Sequence, residues 1–402
     1  MTNSADITTN DIIAARSAGV GIIKHTPITE SAALSEQCGG SIVFKAENLQ
    51  RTGSFKIRGA MNKLERLGDA KSHGVTAGSA GNHAQSLAFA ARHFGVKCEI
   101  FVPAGASLSK MEACRGYGAE LIEGGDSLDD AILEAQRRAQ EANMVFCHPF
   151  DDPDVIAGQG TLGLELIEDI NDLSLVLIPL GGGGLTAGTA IALKSHNPHI
   201  KVVGVQVASC APYAGQKPAN GPIVTLADGI AVKQPGVVTA PLIHKWVDEI
   251  VTVTENEVAD AMVFLMDRSR LVVEGGGAVG VSALMSQAVT PATQGTTCVV
   301  LSGGNVDLGL VPNLIRRHET QRGRRLIVFC RISDRPGGLA QLLTIFAQSG
   351  ANLIEVEHVR EGIDLHVRET GVQVVLEVRG REHGESVIAA ATAAGYELSP
   401  VR

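Results

Sequence analysis

The stretch RTGSFKIRGA, residues 51–60, sets Lys56 between two large apolar residues, Phe55 and Ile57, just after the small-residue turn Thr52-Gly53-Ser54. A lysine in such a place ordinarily lays its stem along a helix and reaches water with its head. Held instead in apolar surroundings, the amine loses affinity for a proton and can act as nucleophile or base. Which of the two applies depends on what the rest of the chain brings beside it.

Four glycines, Gly181, Gly182, Gly183 and Gly184, follow the apolar run LVLIPL and precede a helical pattern that starts near Leu185. Backbone N–H groups without side-chain cover, ahead of a helix N-terminus, make a nest for an anion, most simply a phosphate. A merely flexible turn with four glycines would carry a heavy entropic cost. Gly182, Gly184 and Ala187 loosely fit the dinucleotide pattern G-x-G-x-x-G/A, yet the next strand, KVVGVQVAS, offers Gln206 where a ribose-binding carboxylate belongs. A Walker lysine is absent as well. A phosphate carrier that is not a nucleotide, paired with an amine in an apolar setting, fits pyridoxal phosphate.

Three further turns carry candidate groups. TAGSAGNHAQ places Ser79, Ala80, Gly81, Asn82 and His83 at a helix start, where N–H groups and hydroxyls can hold a substrate carboxylate without arginine, or simply cap the helix. VVLSGGNVDL puts Ser302 and Gly303 after a buried strand, and VVEGGGAVG supplies Glu274 ahead of another glycine run. Both are open to ordinary turn chemistry. AGSAG (77–81) lies one substitution from a serine hydrolase's nucleophile elbow, with Ser79 as nucleophile, but that reading leaves Lys56 and the glycine loop without a role.

Elements able to position these groups are legible around them. Short β-branched runs at 41–47, 98–103, 119–124, 144–149, 175–180, 201–207, 249–254 and 297–302 alternate with helical patterns at 82–94, 126–141, 153–170, 184–196, 254–268 and 276–287. Such alternation predicts an α/β fold of mostly parallel sheets covered by helices, with ligands at the carboxyl ends of the strands. Aromatic residues are 3% of 402 and glycines number 46, which suits small-residue packing around a ligand. A net charge of −9 without a basic block argues against a nucleic-acid surface. No apolar run approaches bilayer length, and the N-terminus lacks a signal-peptide layout. The seven cysteines are scattered, so free thiols in a reducing cytoplasm are expected.

The texture changes after Asn313. NLIRRHETQRGRR reads as a helix end and linker, with a boundary near 318–323, and a compact βαββα sequence follows. This second part is expected to be a small α+β ferredoxin-like domain.

The segments NLQRTGSFKIRGA, SAGNHAQ, DDPDVIAGQGTLGLE, PLGGGGLTAG, LADG and LSGGN, in this order, resemble the threonine dehydratases of the tryptophan-synthase-like, fold-type II pyridoxal-phosphate enzymes. The likeness runs from about residue 11 to 320. Residues 324–402, with DRPGGLAQLL, resemble an ACT domain. The resemblance implies a two-lobed catalytic domain over 1–320, with a smaller lobe at roughly 49–150, and a regulatory domain over 324–402.

It also implies roles. Lys56 would bind the cofactor and act as base, with Phe55 nearby. Asn82 would meet the ring's phenolic oxygen. Gly181, Gly182, Gly183, Gly184 and Leu185 would hold the phosphate, and Ser302 would face the pyridine nitrogen, with Glu274 and Gly303 lining the cofactor. The turn from Ser79 to His83 would take the substrate carboxylate. A hydroxyl at the pyridine nitrogen makes a weaker electron sink than a carboxylate would, which suits β-elimination.

The implied reaction converts L-threonine, and also L-serine, to a 2-oxo acid and ammonia, as a first step of isoleucine biosynthesis; a serine-preferring dehydratase is the near alternative. Related serine racemases carry S-S-G-N-H where this chain has Ala80, so dehydration without efficient racemisation is expected. Their divalent-metal glutamate is missing before Asp228, leaving a monovalent or divalent cation in doubt. The ACT-like part implies a homo-oligomer, dimer or tetramer, and an amino-acid effector, isoleucine or valine, at Asp334, Gly337, Gly338 and Leu339. A purely structural role for that part is the plainer reading, whereas an amino-acid sensor with the large domain as a decayed scaffold is disfavoured by the intact Lys56 and cofactor-facing residues.

Overall fold

A computed structural model describes residues 7–106, 108–217, 221, 223–361 and 366–400, without the side chains of 108 and 109. The chain divides into two compact units, one up to Asp307 and one from Leu308. In the first, a six-stranded sheet runs in the order Ile28–Glu30, Ser41–Lys45, Thr296–Val300, Leu173–Pro179, Lys201–Val207, Glu249–Val253. Only its first pair is antiparallel. The central strand LSLVLIP is almost wholly buried, a continuous apolar run of the kind that parallel strands covered on both faces require.

A second sheet, four-stranded and parallel throughout, orders Glu120–Glu123, Cys98–Val102, Val75–Gly78 and Val145–Phe146. The strand Val75–Gly78 was not expected, because its small residues read as a turn. Their smallness has a packing reason: a Cβ on Gly78 would come within 2.5 Å of the Ile132 backbone, so the helix Leu128–Glu141 lies directly on this strand. The strand expected over 144–149 ends at Phe146. The Cys147 N–H still donates to the Thr76 carbonyl of the neighbouring strand at 2.8 Å, but Pro149 cannot donate to a ladder and residues 148–150 are not part of a strand.

Helix starts follow local rules. Asp152 caps Pro153–Asp169, its carboxylate accepting from the Asp154 and Val155 N–H groups, with proline at the first helical position. Ser127 and Thr254 form capping boxes with Asp130 and Glu257. The pattern expected to be one helix over 254–268 is α-helical only to Phe264; a π turn over Leu265–Ser269 and a left-handed Arg270 then redirect the chain toward Glu274.

The second unit carries a four-stranded antiparallel sheet in the order Asn352–Val359, Glu369–Glu377, Arg325–Ser333, Leu398–Pro400. With helices Gly338–Gln348 and Arg381–Ala393 this is the ferredoxin-like βαββαβ arrangement. The charged stretch read as a helix end and linker is largely an eleven-residue helix, Val311–Gln321, which packs on the strand Arg325–Ser333.

Candidate active site

Lys56 opens the helix Lys56–Arg66. Its approach is bonded to the loop after strand Thr296–Val300: the Phe55 N–H donates to the Ser302 carbonyl at 3.0 Å, and the Gly304 N–H to the Gly53 carbonyl at 2.8 Å. The Lys56 amine donates to the carbonyl of Pro149 at 2.7 Å and lies 5.2 Å from the centre of the Phe55 ring. Burial lowers its pKa to about 8, opposed by the Glu274 carboxylate. Two residues in, the fully buried Arg58 forks onto Glu47 (2.8 and 2.8 Å) and Glu165 (2.7 and 3.0 Å). Lys45 joins Glu165 at 2.7 Å and Asp169 at 2.9 Å, so a buried ionic network fastens the lysine's helix to strand Ser41–Lys45 and helix Pro153–Asp169.

Gly181, Gly182, Gly183 and Gly184 are all buried, and Leu185 lies in the first turn of helix Gly184–His196. The helix expected to start near Leu185 therefore begins inside the glycine run, with Gly183 as its N-cap. Gly183 takes a left-handed φ of 95°, and a Cβ on it would come within 2.8 Å of the Tyr213 hydroxyl, so both backbone and space require glycine there. Having no side chain, Gly183 leaves the first N–H groups of the helix available to an anion. A Cβ on Gly182 would overlap the ring of Phe150, the neighbour of Lys56's hydrogen-bond partner Pro149. The loop is braced from behind. The Thr239 hydroxyl donates to the Gly182 carbonyl at 2.7 Å and the Tyr213 hydroxyl at 3.1 Å. Asp151 in turn accepts from the N–H groups of Val237, Val238 and Thr239. Gln206 is structural: it donates to Leu180 and accepts from Tyr213 and Ala214.

Asn82 and Glu274 meet at 2.6 Å, the amide donating to the carboxylate, although they are 192 residues apart in sequence. A Cβ on Gly303 would overlap Glu274 and approach the Asn82 amide at 3.2 Å, so only glycine lets the three converge. Burial and the nearby Asp228 raise the Glu274 pKa to about 7, with Lys110, Asn82 and Lys56 acting the other way. Asp228 itself is paired with Lys110 at 3.1 Å. Among the described residues no group of three or more His, Cys, Asp or Glu is placed to hold a metal ion.

In the turn that starts helix Asn82–Phe94, the Ser79 hydroxyl accepts from the Gly81 N–H at 3.3 Å, while Ala80, Gly81 and Asn82 are partly exposed. His83 is buried beside Lys56 and neutral, its pKa lowered to about 3, and its Nε2 faces the Cys147 carbonyl at 2.9 Å. These bonds commit Ser79 and His83 to different partners, contrary to the hydrolase alternative. Asp334, Gly337, Gly338 and Leu339 all lie in the second unit, at the start of helix Gly338–Gln348, where the Asp334 carboxylate holds Arg360 at 3.2 and 3.3 Å.

The structure thus brings Lys56, Asn82, Glu274, Ser302 and Gly303 into one neighbourhood, joined to the glycine loop through Pro149 and Phe150. A cradle that any Cβ would fill, an uncapped helix start and a desolvated amine fit a small phosphorylated aldehyde. Sequence reading missed Pro149, Phe150, Asp151, Tyr213, Thr239 and Asn305. Asn305 lies inside the quoted LSGGN segment and Asp151 opens the quoted DDPDVIAGQGTLGLE segment; the others carry no local signal.

Comparison with known proteins agrees with this chemistry. The family model for pyridoxal-phosphate dependent enzymes matches residues 21–303. An L-threonine ammonia-lyase of Thermotoga maritima is 42% identical over 98% of this chain and 99% of its own length. Among solved structures, a T.th. threonine deaminase superposes with a TM-score of 0.70 at 37% identity, covering 75% of this chain and 99% of that one. Maize serine racemase superposes with a TM-score of 0.72 at 31% identity, covering 79% and 99%. The chain belongs to the fold-type II pyridoxal-phosphate dependent enzymes.

Proposed function

We propose that this enzyme deaminates L-threonine by β-elimination of its hydroxyl, releasing 2-oxobutanoate and ammonia. The observation that carries the reading is the Lys56 amine, desolvated to a pKa of about 8 and bonded to the residue that precedes the glycine loop's aromatic neighbour. When bound, pyridoxal phosphate supplies the electron sink for cleavage at the substrate's α-carbon. Lys56 is the residue to hold the cofactor and to take the α-proton, since an amine near neutrality serves both uses. The loop from Gly181 through Gly183 to Gly184, with the first turn at Leu185, is the place for the phosphate. Asn82, with Glu274 behind it, and Ser302 are assigned to the ring, and the turn Ser79 to His83 to the substrate carboxylate.

The relatives' names support threonine as substrate. Ala80 supports elimination over racemisation, since a methyl group has no proton to exchange. Purified enzyme should form 2-oxobutanoate from L-threonine with a higher kcat/KM than it forms pyruvate from L-serine; a preference for serine would make it a serine dehydratase. One methyl contributes about 1–3 kcal/mol of discrimination, or roughly 10- to 200-fold. Interconversion of L- and D-serine at a rate comparable to elimination would overturn the role given to Ala80. We also assign the second unit to amino-acid sensing as an ACT-like domain, with isoleucine or valine as effector at Asp334, Gly337, Gly338 and Leu339, as feedback on isoleucine supply would require.

A further inference from the structure

Asn305 holds two acceptors with one amide nitrogen: the Thr52 carbonyl at 2.8 Å and the Asn82 side-chain oxygen at 2.7 Å. Thr52 sits in a left-handed conformation just before Lys56, and its carbonyl can only accept. That carbonyl therefore fixes which end of the Asn305 amide faces inward. Asn82 must then present its oxygen to Asn305 and its nitrogen to Glu274, 2.6 Å away. We propose that Asn305 is a positioning residue that locks the amide orientation of Asn82, so that the Asn82 nitrogen points to Glu274 and the cofactor ring. The inference rests on reading this pocket as the cofactor site.

The lock has a consequence for the carboxyl group. An ionised Glu274 can only accept, and it needs the Asn82 nitrogen. A protonated Glu274 could donate to the Asn82 oxygen, but Asn305 already holds that oxygen. Asn305 thus excludes an amide flip that would otherwise stabilise the protonated acid. Glu274 feels Asp228, Lys110, Lys56 and Asn82, and only Asn82 can change its hydrogen-bonding sense by rotating. Removing Asn305 should raise the pKa of Glu274.

The test is the pH dependence of pyridoxal phosphate binding to apoenzyme, followed by equilibrium titration, for wild type, Asn305→Leu, Glu274→Gln and the double variant. Asn305→Ser, whose single hydroxyl cannot hold both acceptors, is made in parallel in case leucine disrupts the fold. In the Asn305 variants the acid midpoint of binding should move up by about one pH unit, the scale of a hydrogen bond to a charged group. In the Glu274→Gln background the same change should leave the pH profile unmoved. An unmoved midpoint in both single variants, or an equal movement without Glu274, would overturn the inference. Failure of wild-type apoenzyme to bind the cofactor would instead overturn the functional reading, and this inference with it.

Discussion

The Lys56 amine donates to the Pro149 carbonyl at 2.7 Å, while the adjoining Phe150 ring occupies the space that any side chain on Gly182 would need. One short segment thus joins the amine to the glycine loop. Lys56→Ala should fold, retain cofactor poorly and lose about three orders of magnitude or more in elimination. Borohydride treatment of the holoenzyme should leave the cofactor label on Lys56, which peptide mapping would read; a label elsewhere would contradict the assignment.

The pH behaviour of the apoenzyme follows from the same amine. Only its neutral form reacts with an aldehyde, so modification of Lys56 should rise through pH about 8, while surface lysines go on gaining toward 10.5. The folded pKa lies below the unfolded one, so a protonated Lys56 disfavours the fold. That penalty is full below about pH 8 and vanishes as pH rises past the ordinary lysine value. Lys56→Met should therefore raise the apoenzyme Tm at pH 7, with a gain that shrinks on going to pH 10; a loss of Tm would show that the amine's hydrogen bond outweighs its desolvation.

Gly182 is a steric requirement. A methyl there meets the Phe150 ring, and overpacking of this kind costs about 1–3 kcal/mol. Gly182→Ala should weaken cofactor binding about tenfold or more, measured by dialysis against limiting cofactor. Adding Phe150→Ala should recover part of that loss; no recovery would mean that the alanine acts through the loop backbone instead.

These two features show where the sequence was transparent and where it was not. Lys56 and the glycine loop were legible because each carries a local signature: a charge among apolar residues, and four glycines after a buried strand. The strand Val75–Gly78 was hidden, because its small residues, chosen for close helix packing, mimic turn composition. Gln206 drew notice for lacking a carboxylate, and its actual work, tying Leu180 to Tyr213 and Ala214, depends on contacts that no spacing reveals. The same holds for Arg58, which looks like any basic residue on a helix until Glu47 and Glu165 are brought to it from 11 and 107 residues away.

Arg58 should be a stability determinant. Arg58→Met leaves Glu47 and Glu165 buried without their guanidinium partner, although Lys45 still reaches Glu165. Breaking a buried pair from one side costs about 3–5 kcal/mol. The orphaned Glu165 carboxylate would take up a proton more readily than in wild type, where Arg58 and Lys45 hold it below the usual carboxylate range. The variant's deficit in denaturant unfolding should therefore shrink as pH falls toward about 5; a deficit independent of pH would assign the loss to packing.

Truncation tests the sensing role proposed for the second unit, and the structure says where to cut. The helix Val311–Gln321 belongs to the second unit, packing on strand Arg325–Ser333 with Leu314 buried. Removal of residues 324–402 would leave that helix without the strand it packs on, with Ile315 already exposed. An enzyme ending at Asp307 avoids this defect. It should keep its kcat for threonine and lose any inhibition by isoleucine or valine, whereas the longer fragment should aggregate on concentration. Persistent inhibition of the short form by isoleucine would place the effector site in the first unit and remove the sensing role from Asp334, Gly337, Gly338 and Leu339.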